Sequence, residues 1–335
     1  MILWGKLRVK MDSGNEILDK YAEHIKKINT ELKEALSSRV ALVEDIGNHT
    51  VLGHGKRLRP LFFLFSCQLC DYQGNDAYRL STIFEYVHAA SLLHDDVVDN
   101  ADNRRNRPSA NQVWGNHAAV LEGDFLYSNA SSIAVDTNNL LFLKRLTKTA
   151  KQMAEGQLME LVHTDDWEIS RGAYMEIITA KTAVLMSAAC ACGAIISGAD
   201  KNAELSLGQF GLNMGIAFQL MDDLLDYTSS EDVFGKPVGK DLKEGKITLP
   251  LIYTLQTIEA SERNKLMNLF KNHEADEKDY QQLIGLVRGK GALDHVKEDA
   301  RSYVDRAAEY LSRFPDLPAK RGLLELNRFI VERTH

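Results

Sequence analysis

The feature that most constrains this chain is a five-residue pattern that occurs twice. Asp95-Asp96-Val97-Val98-Asp99 and Asp222-Asp223-Leu224-Leu225-Asp226 both read Asp-Asp-x-x-Asp, and both lie in apolar surroundings, after Leu92-Leu93 and Leu220-Met221. On a helix, residues four apart share a face, so Asp95 and Asp99 point the same way and Asp96 stands about a quarter-turn aside. Carboxylates crowded into apolar segments repel one another and resist burial. No Lys or Arg lies within one helical turn of the first cluster. A hard divalent cation with oxygen ligands is the natural source of the missing positive charge. One copy alone could be a solvated helix face or an N-cap. Two copies, each embedded in Leu and Val, argue against both. Two such clusters facing each other across a cavity would hold several Mg²⁺ ions, and that many ions imply a polyanion, with diphosphate the first candidate.

The background to this pattern is helical. Among 335 residues the six prolines are Pro60, Pro108, Pro237, Pro250, Pro315 and Pro318. None falls between 109 and 236, and proline breaks helix interiors. Ile17, Leu18, Tyr21, Ile25, Ile28, Leu32 and Leu36 recur at spacings of three and four, which predicts an amphipathic helix from about 15 to 38. Further helices are predicted at about 58–71, 77–101, 116–135, 140–163, 170–198, 203–228, 247–259, 262–271, 277–288, 290–312 and 318–333. No alternating β-branched run bounded by turns is present. The expectation is an all-α chain forming one large helical bundle around a central cavity. Residues 1–14 are read as a flexible N-terminal extension and 15–335 as the domain.

Apolar content of 44% is ample for a core, and the net charge of −7 argues against nucleic-acid binding. The longest apolar stretch is read near Leu61–Cys70, too short to span a membrane. Residues 1–10 carry Lys6, Arg8 and Lys10 without an apolar segment or cleavage site, so no signal peptide is expected, and Met11 is an alternative start. A cytoplasmic location follows as an expectation. Cys67, Cys70, Cys190 and Cys192 fall in apolar helices and are read as core thiols rather than as a zinc or redox motif.

Basic loops alternate with the acidic clusters. Lys56, Arg57 and Arg59 follow Gly53-His54-Gly55 just ahead of a helix, a setting suited to anions. Arg104, Arg105 and Arg107 follow the first cluster. Lys181-Thr182 interrupt a mostly apolar helix. Lys236, Lys240 and Lys246 follow the second cluster. Lysines and arginines that bind phosphate directly, beside carboxylates that bind it through a metal, form a coherent set.

From about residue 15 to the C-terminus the chain resembles the trans-isoprenyl diphosphate synthases, in their long-chain polyprenyl (octaprenyl-like) branch. The resemblance rests on Gly55-Lys56-Arg57-Leu58-Arg59-Pro60, His88 through Arg105, Gly123-Asp124-Phe125-Leu126-Tyr127, Lys181-Thr182, Phe218 through Asp223, and Gly235-Lys236 through Pro250, in that order. Two departures stand out: His54 where the family usually has glycine before Gly55-Lys56, and Asn106 where it usually has glycine after the paired arginines. Asn tolerates a left-handed backbone, so the second loop is expected to keep its shape.

The resemblance implies an isoprenoid-synthase fold and a head-to-tail prenyltransferase that joins isopentenyl diphosphate to an allylic diphosphate. It implies Mg²⁺, three ions per active site, held by Asp95, Asp99, Asp222 and Asp226, with Asp96 and Asp223 in support. Arg104, Lys181, Thr182, Gln219, Lys236 and Lys246 would grip the allylic substrate. Lys56, Arg59, His88 and Arg105 would bind isopentenyl diphosphate. Further implications are a homodimer and hand-off of product at a membrane. Ala90 and Ser91, small residues just before Asp95, imply an open tunnel and a product in the hexaprenyl to decaprenyl range. Ser128, Ala130, Ser131 and Ser132 are expected to keep the opposite wall slim. The alternatives are a short-chain farnesyl or geranylgeranyl synthase and, from another class, a non-catalytic prenyltransferase subunit.

Overall fold

The structure is a computed structural model that describes residues 13–53, 55–104, 107–228, 239–272, 274–289 and 291–332. Helices dominate it. The expected first helix is two, α1 (Ser13–Lys20) and α2 (Ala22–Ala35), parted at Tyr21. A short helix not anticipated from periodicity, α3 (Ala41–Thr50), follows. Next come α4 (Leu58–Leu69) and α5 (Ala77–Val98), a small hairpin of β1 (Asn103–Arg104) and β2 (Arg107–Pro108), and α6 (Ala110–Trp114). The hairpin pairs Arg104 with Arg107 in antiparallel register.

Two long helices, α7 (Asn116–Asp136) and α8 (Leu140–Val162), continue the chain. The Asn139 side chain caps α8, accepting from the N–H groups of Leu141 and Phe142 at 3.1 Å. The expected helix 170–198 is a rod in three parts: α9 (Arg171–Ile178), a π-helical turn (Thr179–Ala183) and α10 (Val184–Ile196). After α11 (Lys201–Thr228) come α12 (Lys240–Lys243), α13 (Leu249–Thr257), α14 (Ala260–Lys271), α15 (Glu277–Gly289), α16 (Ala292–Tyr310) and α17 (Pro318–Glu332).

The core is built around α10. Every residue from Val184 to Ile195 is buried, as an all-round apolar helix requires. It packs on α11, α4 and α8, while α5 packs on α7 and α4, and α11 on α16. Phe63 of α4, Phe84 of α5 and Phe142 of α8 meet in one aromatic cluster, with Phe63 and Phe84 centroids 5.3 Å apart. This layout corrects the reading of 61–70 as the longest apolar stretch. Arg171–Ile196 is longer, and by length and composition alone would suffice to cross a membrane, but 78% of its most apolar window is enclosed by the bundle. Its apolarity is that of a central core helix.

Candidate active site

Two helix ends, the π-turn, α11 and the segment around α12 bring the polar residues together. The C-terminal turns of α5 carry Asp95, Asp96 and Asp99, the last turn of α8 carries Glu160, the π-turn carries Lys181 and Thr182, and α11 carries Gln219 and Asp223. With Tyr174, Asp241 and Lys246, several of these line a cavity of about 670 Å³ whose other walls include Ile169, Ile177, Ile178 and Ile247.

The π-turn is its hub. Lys181 Nζ is ion-paired with Glu160 and stands 3.8 Å from Asp95. The neighbouring Thr182 hydroxyl donates to Gln219 Oε1 at 2.9 Å, and Gln219 Nε2 donates to Asp223 Oδ1 at 2.7 Å. The Tyr174 hydroxyl donates to the other Asp223 oxygen at 2.5 Å. One turn of chain therefore reaches one aspartate cluster through a lysine and the other through a hydrogen-bonded relay.

The structure corrects the premise that the first cluster lacks cations. None lies within one helical turn, but Arg104 reaches back from the hairpin just after the cluster and two lysines arrive from distant segments. Arg104 forks onto both oxygens of buried Asp96, with Nε at 2.7 and 2.8 Å. Lys246 donates to Asp99 at 2.8 Å and to Glu244 at 2.7 Å, and Lys181 faces Asp95. Burial nonetheless pushes the Asp95 carboxyl up; Lys181 opposes this, and Glu160 and Asp99 add to it. Burial also works against a charged Lys246, but Glu160, Glu244 and Asp99 outweigh it and raise its pKa. Asp223 is pushed well up by burial and by the charge of Asp241, against the hydrogen bonds from Tyr174 and Gln219. Asp241 is raised chiefly by its own burial, which Lys246 opposes.

Other expected residues are distributed as follows. Asp226 accepts from the backbone N–H groups of Lys240 and Asp241 at 3.2 Å, anchoring the segment that returns Lys246 to the site. Asp222 is half-buried one turn earlier on α11. Arg104 and Asp96 line a second cavity, about 560 Å³, with His49, Gly53, Leu92 and Arg107. His88 is half-buried two turns before Asp95, on nearly the same face. Lys56 Nζ lies 5.3 Å over the Phe329 ring. Arg57, grouped with Lys56 and Arg59 as a loop cation, is instead a buried brace. It pairs with Glu85 at 2.6 Å and donates to Asn29, Val51 O and Gly53 O. Arg105 and Lys236, with His54 and Asn106, lie outside the described residues.

Ala90 is fully buried, while Ser91 is half-buried and donates to the His88 carbonyl at 2.8 Å. Of the small residues expected on the opposite wall, Ala130 is buried, but Ser128, Ser131 and Ser132 lie on the exposed face of α7. An evenly apolar helix gives little indication of which face turns inward. Four site residues were not singled out from the sequence: Glu160, Tyr174, Asp241 and Glu244. Glu160 lies one turn after Gly156 and Asp241 sits inside a recognised basic loop, but their partners depend on long-range contacts.

Comparison with known proteins agrees with this geometry. The family model described as polyprenyl synthetase matches residues 40–287. The chain is 35% identical over 324 residues to the all-trans-nonaprenyl-diphosphate synthase (geranyl-diphosphate specific) of Rhodobacter capsulatus, covering 96% of this chain and 99% of that one. It is 33% identical over 312 residues to the octaprenyl diphosphate synthase of Escherichia coli K12, covering 93% and 96%. The crystal structure of a polyprenyl synthase from Caulobacter crescentus CB15, complexed with calcium and isoprenyl diphosphate, superposes with a TM-score of 0.91 at 35% identity, over 97% of this chain and 99% of that one.

Proposed function

Given that the chain belongs to the polyprenyl synthetase family, we propose that it condenses isopentenyl diphosphate head-to-tail with an allylic diphosphate and repeats the step to build a long-chain all-trans polyprenyl diphosphate. The observation that carries this reading is the π-turn, which links both aspartate clusters at the rim of one cavity. The long-chain product is supported by the names of the relatives and by the small Ala90 and Ser91.

The donor set fits a hard divalent cation. Asp95, Asp99 and Asp222 are oxygen donors, with Asp226 one turn beyond Asp222, and burial and neighbouring carboxylates hold Asp95 in need of positive charge beyond what Lys181 supplies. Among the described residues no three acidic or imidazole side chains converge tightly enough to cage an ion alone. That is the pattern for Mg²⁺ bound by one or two carboxylates together with substrate phosphates. Bound there, Mg²⁺ would neutralise charge on the departing diphosphate. Three ions per site is the number we adopt.

The chain's own residues do the rest. Lys181 and Lys246 hold the allylic diphosphate and stabilise charge that grows as the C–O bond breaks. Thr182 and Gln219 orient it. Ile169, Ile177, Ile178 and Ile247 keep water from the allyl cation. Lys56, Arg59, His88 and Arg105 hold isopentenyl diphosphate while its double bond attacks. The proton then lost passes to the departing diphosphate, so no protein base is needed, and because the double bond itself attacks, no protein nucleophile is needed either.

The reading extends to a homodimer in the cytoplasm that passes its product to a membrane. Exposed Leu121 and Val135 of α7 and Leu140, Leu141, Leu158, Leu161 and Val162 of α8 supply an apolar face for a second copy. The test is incubation with isopentenyl diphosphate, Mg²⁺ and each of dimethylallyl, geranyl and farnesyl diphosphate, followed by chromatography of the dephosphorylated products. Hexaprenyl to decaprenyl chains are expected. Arrest at farnesyl or geranylgeranyl length would favour the short-chain alternative, and no consumption of any pair would overturn the enzyme reading.

A further inference from the structure

The π-turn is gripped at its backbone by two glycines. A Cβ on Gly156 of α8 would lie 2.5 Å from the Lys181 nitrogen and 2.8 Å from the Ala180 carbonyl carbon. A Cβ on Gly215 of α11 would lie 2.6 Å from Ala183 Cα and 3.2 Å from Ala183 O. Carbon atoms pack no closer than about 3.5 Å, and backbone cannot swing aside as a long side chain does. Neither glycine has a positive φ, so close approach, not backbone freedom, requires them. One turn further along each helix stands the residue that holds the turn's side chains. Glu160, four after Gly156, pairs with Lys181, and Gln219, four after Gly215, accepts from Thr182. Each helix thus makes the same two-part contact, a glycine against the backbone and then a polar side chain one turn on.

We propose that Gly156 and Gly215 are positioning residues of the allylic diphosphate site: by letting α8 and α11 close onto the π-turn, they set where Lys181 and Thr182 stand. The proposal rests on the reading of those two residues as ligands of the allylic diphosphate. It separates two uses of glycine in one bundle. Gly193 is packed as tightly, its Cβ 2.6 Å from Ser66 Cβ and 3.0 Å from Cys67 N, but it joins α10 to α4 three turns beyond Lys181 and touches no site residue. Alanine is the better helix former, so by propensity alone all three substitutions would stabilise.

The experiment compares Gly156→Ala, Gly215→Ala and Gly193→Ala by steady-state kinetics on both substrates and by thermal midpoint. Gly156→Ala is also combined with Lys181→Ala. A displacement on the order of 1 Å in a positioning element costs about 100-fold. Gly156→Ala and Gly215→Ala should therefore lose about that much in kcat/KM for the allylic diphosphate, with the KM for isopentenyl diphosphate held within about threefold. Gly193→Ala should lower the midpoint but leave the kinetics within about threefold. Because Gly156 acts through Lys181, its substitution should add less than about threefold once Lys181 is gone. Normal allylic kinetics in folded Gly156→Ala and Gly215→Ala would overturn the proposal. So would a Gly156→Ala loss that multiplies with Lys181→Ala, or losses that track the midpoint across all three glycines. If Gly156→Ala does not fold, Gly215→Ala decides. If Lys181→Ala alone spares allylic use, the underlying site assignment fails, a result distinct from failure of the glycines.

Discussion

The two Asp-Asp-x-x-Asp clusters are the same in sequence and opposite in environment. At the end of α5 each carboxylate is met by a cation: Arg104, from the hairpin that follows, on Asp96, and from distant segments Lys246 on Asp99 and Lys181 near Asp95. On α11 the described partners of the second and third aspartates are neutral. Tyr174 and Gln219 serve Asp223, and backbone N–H groups serve Asp226. The difference teaches that a motif fixes the donors but not their compensation. The first cluster is met, though not fully compensated, by charge, and the cations that meet it are among those assigned to diphosphate. In the second, Asp223 and Asp226 are held in place by neutral hydrogen-bond donors, which fix geometry without supplying charge.

The comparison can be broken in graded ways. The largest effect should come from Asp95→Ala or Asp222→Ala. Each removes a ligand worth several kcal/mol of transition-state stabilisation, so turnover should fall by about 10³-fold or more while circular dichroism stays helical. Activity within tenfold of the parent for either variant would break the claim that both clusters serve the metal.

A smaller effect separates the substrates. Lys181→Ala should raise KM or lower kcat for the allylic diphosphate by about ten- to a hundredfold, the worth of a charge-assisted contact. Arg59→Ala should do so for isopentenyl diphosphate. The reverse pattern in two-substrate kinetics would overturn the division.

Stability should also tell charge from hydrogen bond. Arg104→Ala strands Asp96, which is 3% exposed, and should cost about 3 kcal/mol at most, because the arginine is partly solvated. Tyr174→Phe removes one donor from Asp223 and should cost about 1 kcal/mol, in the ordinary range for a hydrogen bond. The first loss should shrink in high salt and the second should not. Equal salt dependence, read from thermal midpoints, would erase the contrast.

The last effect is set apart by its pH dependence and concerns a carboxylate compensated in neither way. Glu122 of α7 is buried, its Oε1 has no hydrogen-bond partner among the described residues, and burial raises its pKa from 4.5 to about 7. The folded state holds this proton more tightly than the unfolded chain. The resulting stabilisation is complete below about pH 4.5 and is lost as pH rises through about 7. Glu122→Gln should therefore gain thermal stability relative to the parent between about pH 5 and pH 8. A constant difference across that range would contradict the assignment.

Much of this was legible in the sequence because it is periodic or local. The long helices follow from apolar spacing, and the two aspartate clusters and Lys181-Thr182 stand out against it. The rest depends on contacts between segments far apart. α3 packs through Gly47, where a Cβ would lie 2.9 Å from Leu36 Cδ2, so tertiary fit rather than propensity settles it. The π-turn inserts one residue into an apolar helix, too little to disturb its periodicity. Arg57 looks like its neighbours in sequence and becomes a brace only when α2 and α5 bring Asn29 and Glu85 to it. Glu160 gains its role only when α8 meets the π-turn.

The most direct test of the central claim, that the two clusters form one site completed by diphosphate, is calorimetric titration of Mg²⁺ with and without inorganic diphosphate. The account predicts weak binding of Mg²⁺ alone, tight binding once diphosphate is present, and loss of the tight phase in both Asp95→Ala and Asp222→Ala. Tight Mg²⁺ binding without diphosphate, or a tight phase that survives loss of either aspartate, would contradict it.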